Sequence, residues 1–164
     1  MVTHDAGHPG PAVAKIPVAI VRRLIDHARA EYPNEACGLI IGDAPAADGG
    51  RALRFEPTRN AAASPLRYEI DSADLLRLTM ATDDRDEVFW GIVHSHVRSA
   101  ARPSPTDIGL AFYSDALYVL VALAEAPDTT VAASLGAGAS LQPFLRAWRI
   151  LDSRVSEVGL EVTE

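Results

Sequence analysis

Apolar positions along the chain follow two different periods, which predicts helices interleaved with strands. In residues 17–32, apolar side chains recur every three or four positions with charged residues between them, a pattern typical of an amphipathic helix that Pro33 ends. The short run Cys37–Gly42 is almost wholly apolar and predicts a buried strand. The other elements expected along the chain are strands over residues 51–56, 88–93, 117–124, 144–150 and 155–162, and helices over residues 73–82 and from Ser104 to Ala111 or Phe112.

This order of elements, with no internal repeat, predicts an α/β fold in which helices cover the faces of a sheet. The length of 164 residues fits one domain with a single core. Residues 1–14 contain two glycines and two prolines and lack the apolar block of a secretory signal, so we expect a flexible leader there. Residues 15–164 are expected to form the single folded domain.

Composition narrows the function classes. The formal net charge is −7, with acidic residues scattered along the chain, which argues against a nucleic-acid or anionic-membrane surface and favours a neutral or basic protein partner. A single cysteine permits no intrachain disulfide, and the longest apolar run, residues 116–124, is far short of the roughly 20 residues that span a bilayer. We therefore expect a cytoplasmic protein with no membrane segment. The sequence does not indicate the oligomeric state.

The first candidate chemistry is a metal site. His94 and His96 follow an apolar strand, and the strand period of two puts both imidazoles on one face. Asp107 lies eleven residues further on, in the first turn of the helix that Ser104 begins, where a carboxylate can turn back towards the strand end. Two histidines and one aspartate leave tetrahedral zinc with one open position, which water fills with its pKa lowered to about 7.

Two further residues fit a hydrolytic reaction. A zinc-activated water needs a base that accepts its proton and later returns it to the leaving amine, and Glu35, just before a buried strand, is the candidate because an apolar wall shifts a carboxyl pKa towards neutrality. Ser104, at a helix N-terminus, is placed to donate its hydroxyl to the developing oxyanion. The expected catalytic residues are therefore Glu35 and Ser104.

Together these residues resemble a known signature, that of the JAMM (MPN+, or JAB) zinc metallopeptidases. The match consists of Glu35, His94, Ser95, His96, seven residues, Ser104, two residues and Asp107. Such residue types at those spacings occur by chance in about one chain in a few thousand. Similarity extends over residues 16–150, although Val97 stands where many members have Pro or Thr after the second histidine.

The resemblance implies a fold, a metal site and a reaction. It implies a curved mixed β-sheet flanked by helices, in the three-layer architecture of the cytidine deaminases. It implies one Zn2+ per chain, held by His94, His96 and Asp107, and hydrolysis of a peptide or isopeptide bond beside the C-terminal glycine of a ubiquitin-like protein. Because the chain is compact, it looks most like the small bacterial members, particularly the actinobacterial type that releases cysteine from a ubiquitin-like sulfur-carrier protein.

Other functions remain open from the sequence alone. A non-catalytic MPN scaffold usually lacks one or more ligands, whereas this chain lacks none. Cys37 as a fourth ligand would give a closed structural zinc module, and Cys37 as a nucleophile would give a Cys-His hydrolase, although an apolar strand keeps a thiol protonated. A deaminase would need a His-x-Glu and Pro-Cys-x-x-Cys pattern that is absent. For a substrate carboxylate, the candidate partners are Arg67, Arg98 and Arg102.

Overall fold

The computed structural model describes residues 12–164. Two short 3-10 helices, Ala46–Asp48 and Leu123–Glu125, lie in connecting segments. The main elements follow in the order β1 (Val13–Pro17), α1 (Val18–Ala30), β2 (Cys37–Gly42), β3 (Ala52–Thr58), α2 (Ser72–Asp83), β4 (Val88–His96), α3 (Pro105–Gly109), β5 (Leu117–Ala122), α4 (Thr129–Ala133), β6 (Leu145–Leu151) and β7 (Arg154–Thr163).

The seven strands form one curled mixed sheet in the order β1-β7-β6-β5-β4-β2-β3. The β1–β7 and β4–β5 pairs are parallel and the other neighbours are antiparallel. The sheet curls so strongly that its two edge strands, β1 and β3, line the same cavity. Strand β4 lies inside the sheet between β5 and β2, so side chains at its carboxyl end start from a fixed backbone.

The two faces of the sheet carry two separate apolar clusters, and helices cover both. In β5, Val119 and Val121 belong to the cluster under α1, whereas Tyr118 and Leu120 belong to the cluster under α2 and α3. This alternation follows from the strand period of two. The apolar side of α1 is fully covered and is formed by Val18, Ile20, Val21, Leu24, Ile25 and Ala28. The predicted α/β sheet flanked by helices is confirmed.

The structure corrects several predicted boundaries. Strand β1 begins at Val13, two residues inside the predicted leader of residues 1–14, and the leader's residues 1–11 lie outside the described residues. Helix α3 ends at Gly109 rather than at Ala111 or Phe112, because glycine disfavours helical backbone. Phe112, one of the two predicted helix ends, lies outside the helix and is 77% exposed. Among residues 12–164, no helix combines the length and the apolar character needed to cross a membrane.

Candidate metal centre

The two candidate histidines end strand β4, and both side chains are buried. His94 is 0% exposed and His96 is 5% exposed, because β5 and β2 flank the strand and helices cover its face. The chain then turns back through residues 97–103 and enters α3, whose first turn carries Asp107, itself 8% exposed. The carboxyl end of β4 and the first turn of α3 therefore meet at one buried position.

A reciprocal cap fixes Asp107. The Asp107 backbone N–H donates to Ser104 Oγ at 3.1 Å, and the Ser104 N–H donates to Asp107 Oδ2 at 2.7 Å. Pro105, at the start of the helix, supplies a backbone angle already suited to it. The carboxylate oxygen that completes the cap is the same Oδ2 that faces the two histidines. Helix capping thus sets the position of the third donor atom.

The three donor atoms form a nearly equilateral triangle. His94 Nε2 lies 3.2 Å from His96 Nε2, and Asp107 Oδ2 lies 3.3 Å from the first and 3.2 Å from the second. A tetrahedral ion with bonds of about 2.0–2.1 Å to N and O would separate its ligands by about 3.3–3.4 Å. The spacing therefore fits three corners of a zinc tetrahedron, and the role of these residues as ligands remains a prediction.

The hydrogen bonding of His96 also fits a cation. His96 Nδ1 lies 2.7 Å from the Ala100 carbonyl oxygen, which only accepts, so Nδ1 carries the hydrogen and the neutral ring presents a lone pair at Nε2. That lone pair faces the Asp107 carboxylate at 3.2 Å. Two acceptors at this distance repel unless a proton or a metal ion lies with them. The cluster is therefore built for a positive charge.

The pKa shifts of the three residues also fit a cluster that holds a positive charge. Burial lowers the pKa of His96, but hydrogen bonds with Asp107 and Ala100 and the nearby negative charges raise it by more, so its net pKa lies above the ordinary value. Burial lowers the pKa of His94. Burial opposes ionisation of Asp107, yet hydrogen bonds with both imidazoles and the Ser104 N–H hold its pKa well below the usual range. Of the two imidazoles, His96 therefore has the higher pKa and His94 the lower.

Packing against an aromatic ring helps to orient His94. Its ring stacks on Tyr68, with centroids 4.3 Å apart and planes inclined by 18°. His94 Nδ1 is buried and has no hydrogen-bond partner among residues 12–164. Tyr68 therefore holds this imidazole in the plane that directs Nε2 into the cluster.

Backbone and side-chain hydrogen bonds fix Glu35 beside the cluster. Its N–H donates to Ser64 O at 2.9 Å and its carbonyl accepts from Asn60 Nδ2 at 3.0 Å. The next residue, Ala36, donates its N–H to Ser95 Oγ at 2.8 Å and accepts from the Ser95 N–H at 2.9 Å. The segment that carries Glu35 is thus tied to the serine between the two histidines.

The Glu35 carboxyl group is itself buried, at 4% exposure, and its Oε2 has no hydrogen-bond partner in the described part of the chain. Burial raises its pKa from 4.5 to about 7, with His96 lowering it and Asp107 raising it. A carboxyl group that titrates near neutrality is suited to exchange protons with a substrate at physiological pH.

Glu35 lines a cleft of about 470 Å³, together with His96 and Ser104. Its other lining residues are Tyr32, Pro33, Pro65, Leu66, Val97, Arg98 and Ser99. Of the three arginines predicted to meet a substrate carboxylate, only Arg98 lines this cleft. A larger cavity of about 580 Å³ lies between the sheet edges but contains none of the candidate residues, so we assign the chemistry to the smaller cleft.

Cys37 takes no part in the cluster. Its Sγ lies 3.3 Å from Thr58 Oγ1, with which it shares a hydrogen bond, and burial raises its pKa to about 11. Its sulfur is not among the converging donor atoms of His94, His96 and Asp107. These contacts favour neither a fourth zinc ligand nor a reactive thiolate.

Sequence reasoning missed the residues that position the site. Asn60 is buried, and its side-chain nitrogen donates to both Glu35 O and Arg67 O while its oxygen accepts from two backbone N–H groups. The contacts of Asn60 with Glu35 and of Tyr68 with His94 join residues that are distant in the chain, so nothing local in the sequence marks them. The alternation along β4 does place Ser95 on the opposite face from the histidines, where it meets Ala36.

Comparison with known proteins identifies the family. Residues 17–135, more than half of the chain, match the prokaryotic homologs of the JAB domain. The chain belongs to this JAB family. The CysO-cysteine peptidase of Mycobacterium tuberculosis is 37% identical over 145 residues, which cover 88% of each chain. The desampylase of Haloferax volcanii is 30% identical over 102 residues, 59% of this chain and 71% of the relative.

Solved structures show the same fold. The solution structure of protein DSY2949 from Desulfitobacterium hafniense aligns with a TM-score of 0.72 and 27% identity, covering 93% of both chains. AF2198, a JAB1/MPN domain protein from Archaeoglobus fulgidus, aligns with a TM-score of 0.55 and 17% identity, over 92% of this chain and 99% of that one. The family and the fold predicted from the sequence are confirmed.

Proposed function

We propose that this JAB protein is a zinc-dependent hydrolase of a peptide or isopeptide bond at the C-terminal Gly-Gly of a ubiquitin-like sulfur-carrier protein, releasing cysteine or another amine. The observation that carries the proposal is the triangle of His94, His96 and Asp107 donor atoms at tetrahedral spacing beside the buried Glu35. Two relatives, named as a CysO-cysteine peptidase and a desampylase, support the substrate class.

In this proposal His94, His96 and Asp107 hold the zinc ion. When bound, zinc acts as a Lewis acid that activates water and polarises the scissile carbonyl group. Glu35 accepts the proton of the attacking water and then delivers it to the leaving amine, which a carboxyl group with a pKa of about 7 can do in both directions. Its buried setting excludes the bulk water that would compete for that proton.

Ser104 is proposed to stabilise the tetrahedral oxyanion. Its Oγ already accepts the Asp107 N–H, which leaves its own hydroxyl hydrogen free to donate into the cleft that it lines. The capping interaction holds the hydroxyl in place before the reaction, as electrostatic stabilisation of a transition state requires.

The shape and polarity of the cleft suit an extended tail. Its lining combines apolar side chains, among them Pro65 and Leu66, with the polar side chains of Arg98 and Ser99. We assign Arg98 to the carboxylate of a leaving amino acid, because a guanidinium group binds a carboxylate through two parallel hydrogen bonds. A C-terminal amino acid such as cysteine would present that carboxylate.

The direct test uses a ubiquitin-like sulfur carrier bearing a C-terminal cysteine, with product detected by mass spectrometry. Glu35→Gln should keep about one zinc per chain and lose turnover by at least about 100-fold, since general acid–base catalysis contributes roughly 10²–10⁴-fold. Glu161→Gln, which removes an exposed carboxyl group from β7, is the matched control and should retain activity. Activity retained by Glu35→Gln would refute the assigned role.

A further inference from the structure

The loop of residues 97–103 connects the two histidines to Asp107, so its shape determines whether the three ligands meet. One side chain from a distant strand fixes the middle of this loop. Trp148, in β6, donates its indole Nε1–H to the Ala101 carbonyl at 2.9 Å. Ala101 is 0% exposed, although its neighbours Ala100 and Arg102 are exposed. The Trp148 indole therefore attaches the middle of the loop to the sheet.

The middle of the loop is a tight turn that also orients His96. The Ala100 carbonyl accepts the Arg102 N–H at 2.8 Å, closing a three-residue turn, and accepts the Nδ1–H of His96 at 2.7 Å. Ala101 is the central residue of this turn. The carbonyl held by Trp148 and the carbonyl that orients His96 thus belong to adjacent residues of one turn.

Trp148 is a rigid support. It is 4% exposed and pairs with Tyr118 of β5. The guanidinium groups of Arg146 and Arg102 lie over its ring, 4.6 Å and 5.3 Å from the centroid. Arg146 is held in turn by Glu157, with two N–O distances of 2.8 Å and 2.7 Å. The indole therefore has little freedom to follow the loop, and the loop must conform to it.

We propose that Trp148 is a positioning residue of the metal site: its indole N–H fixes the Ala100–Arg102 turn, which keeps Nδ1–H of His96 engaged and Nε2 directed at the metal. The inference rests on the proposed zinc site. Hydrogen-bond partners behind a metal ligand typically alter metal affinity by about 10–100-fold when removed. Trp148 reaches His96 only through the Ala100–Arg102 turn, so we expect its removal to lower the metal affinity by the smaller of these factors.

The chain contains its own matched control. It has two tryptophans, and the other, Trp90, is also buried and also donates to a backbone carbonyl, that of Gly50 at 2.8 Å. Trp148→Phe and Trp90→Phe each delete one indole N–H while keeping an aromatic ring. Zinc affinity is measured at pH 7 by competition with a chromophoric chelator, with the thermal midpoint of each zinc-free variant recorded beside it.

We expect Trp148→Phe to bind zinc about tenfold more weakly than the wild type and Trp90→Phe to match the wild type. Long-range ¹H–¹⁵N spectra of the zinc-free protein, at a pH where His96 is neutral, give a second readout. They should show the Nδ1–H tautomer of His96 in wild type and Trp90→Phe, and a mixture with the Nε2–H tautomer in Trp148→Phe.

If Trp148→Phe fails to fold, β-(3-benzothienyl)alanine at position 148 in the Trp90→Phe background replaces the N–H with sulfur and preserves the ring shape. The inference would be overturned if the variant at position 148 bound zinc within twofold of the Trp90→Phe control and also kept the His96 tautomer unchanged. A wild-type protein that binds no zinc would instead contradict the proposed function, and the tautomer spectra would then decide the role of Trp148 by themselves.

Discussion

Glu35→Gln should make the zinc-free protein more stable at alkaline pH, because the wild type keeps a carboxyl group in a place that disfavours its charge. Glu35 is 4% exposed and its Oε2 has no hydrogen-bond partner within residues 12–164. Burial raises its pKa to about 7 from 4.5. Glutamine has nearly the same shape and carries no charge, so the substitution removes the ionisation and keeps a polar side chain of the same size.

The magnitude follows from linkage between proton binding and folding. Below the ordinary pKa of 4.5, Glu35 is protonated in both the folded and the unfolded chain, so its ionisation does not lower the free energy of unfolding. As the pH rises towards 7, the unfolded chain loses the proton first, so the wild type loses stability across this window. The difference between the two pKa values, at about 1.4 kcal/mol for each pH unit, corresponds to about 3 kcal/mol above pH 8.

Urea unfolding in the presence of a chelator measures this effect. The free energy of unfolding of Glu35→Gln minus that of the wild type should increase by about 3 kcal/mol between pH 4.5 and pH 8. Taking the difference between variants cancels the titrating groups that do not interact with Glu35, so that only Glu35 and its charged neighbours His96 and Asp107 contribute. A difference that stays constant across this range, or that decreases, would show that Glu35 is not held in a charge-disfavouring environment and would refute the reasoning.

Further predictions concern the ligands and the cleft. Asp107→Asn should weaken zinc binding by at least about 100-fold in a chelator competition assay, since an amide is a poor zinc ligand; affinity within tenfold of the wild type would contradict its assignment. Cys37→Ala should leave the zinc content near one per chain by metal analysis, because the Cys37 thiol hydrogen-bonds with Thr58 and not with a metal ion. Loss of the metal would instead support a closed structural zinc site in which Cys37 is the fourth ligand. Arg98→Ala should raise KM about tenfold for a substrate ending in a free carboxylate and little for the matching carboxamide, whereas Arg67→Ala, outside the cleft, should leave both unchanged.

Local patterns account for the part of the site that the sequence predicts. The strand period of two places His94 and His96 on one face of β4, and the Ser-Pro-x-Asp sequence predicts the helix start that carries Asp107. Their convergence follows because a short loop joins the two elements. These signals lie within fourteen residues of one another, so no tertiary information is needed to find them.

The rest of the site depends on contacts between distant residues. Trp148 meets Ala101 47 residues away, and Ser95 meets Ala36 59 residues away. Neither contact leaves a periodic signal in the sequence. Strand β1 was missed for the same reason: it is five residues long and pairs with β7 at the other end of the chain. Propensity alone does not distinguish such a strand from an extended leader.

In the proposed metal site, His94, His96 and Asp107 hold the metal ion together. X-ray absorption at the zinc edge of the metal-loaded protein tests it most directly. A zinc ion held by these three residues should give a shell of nitrogen and oxygen atoms at about 2.0–2.1 Å with imidazole scattering and no sulfur. This pattern should be lost in His94→Ala. A sulfur contribution at about 2.3 Å, or an unchanged spectrum in His94→Ala, would contradict it.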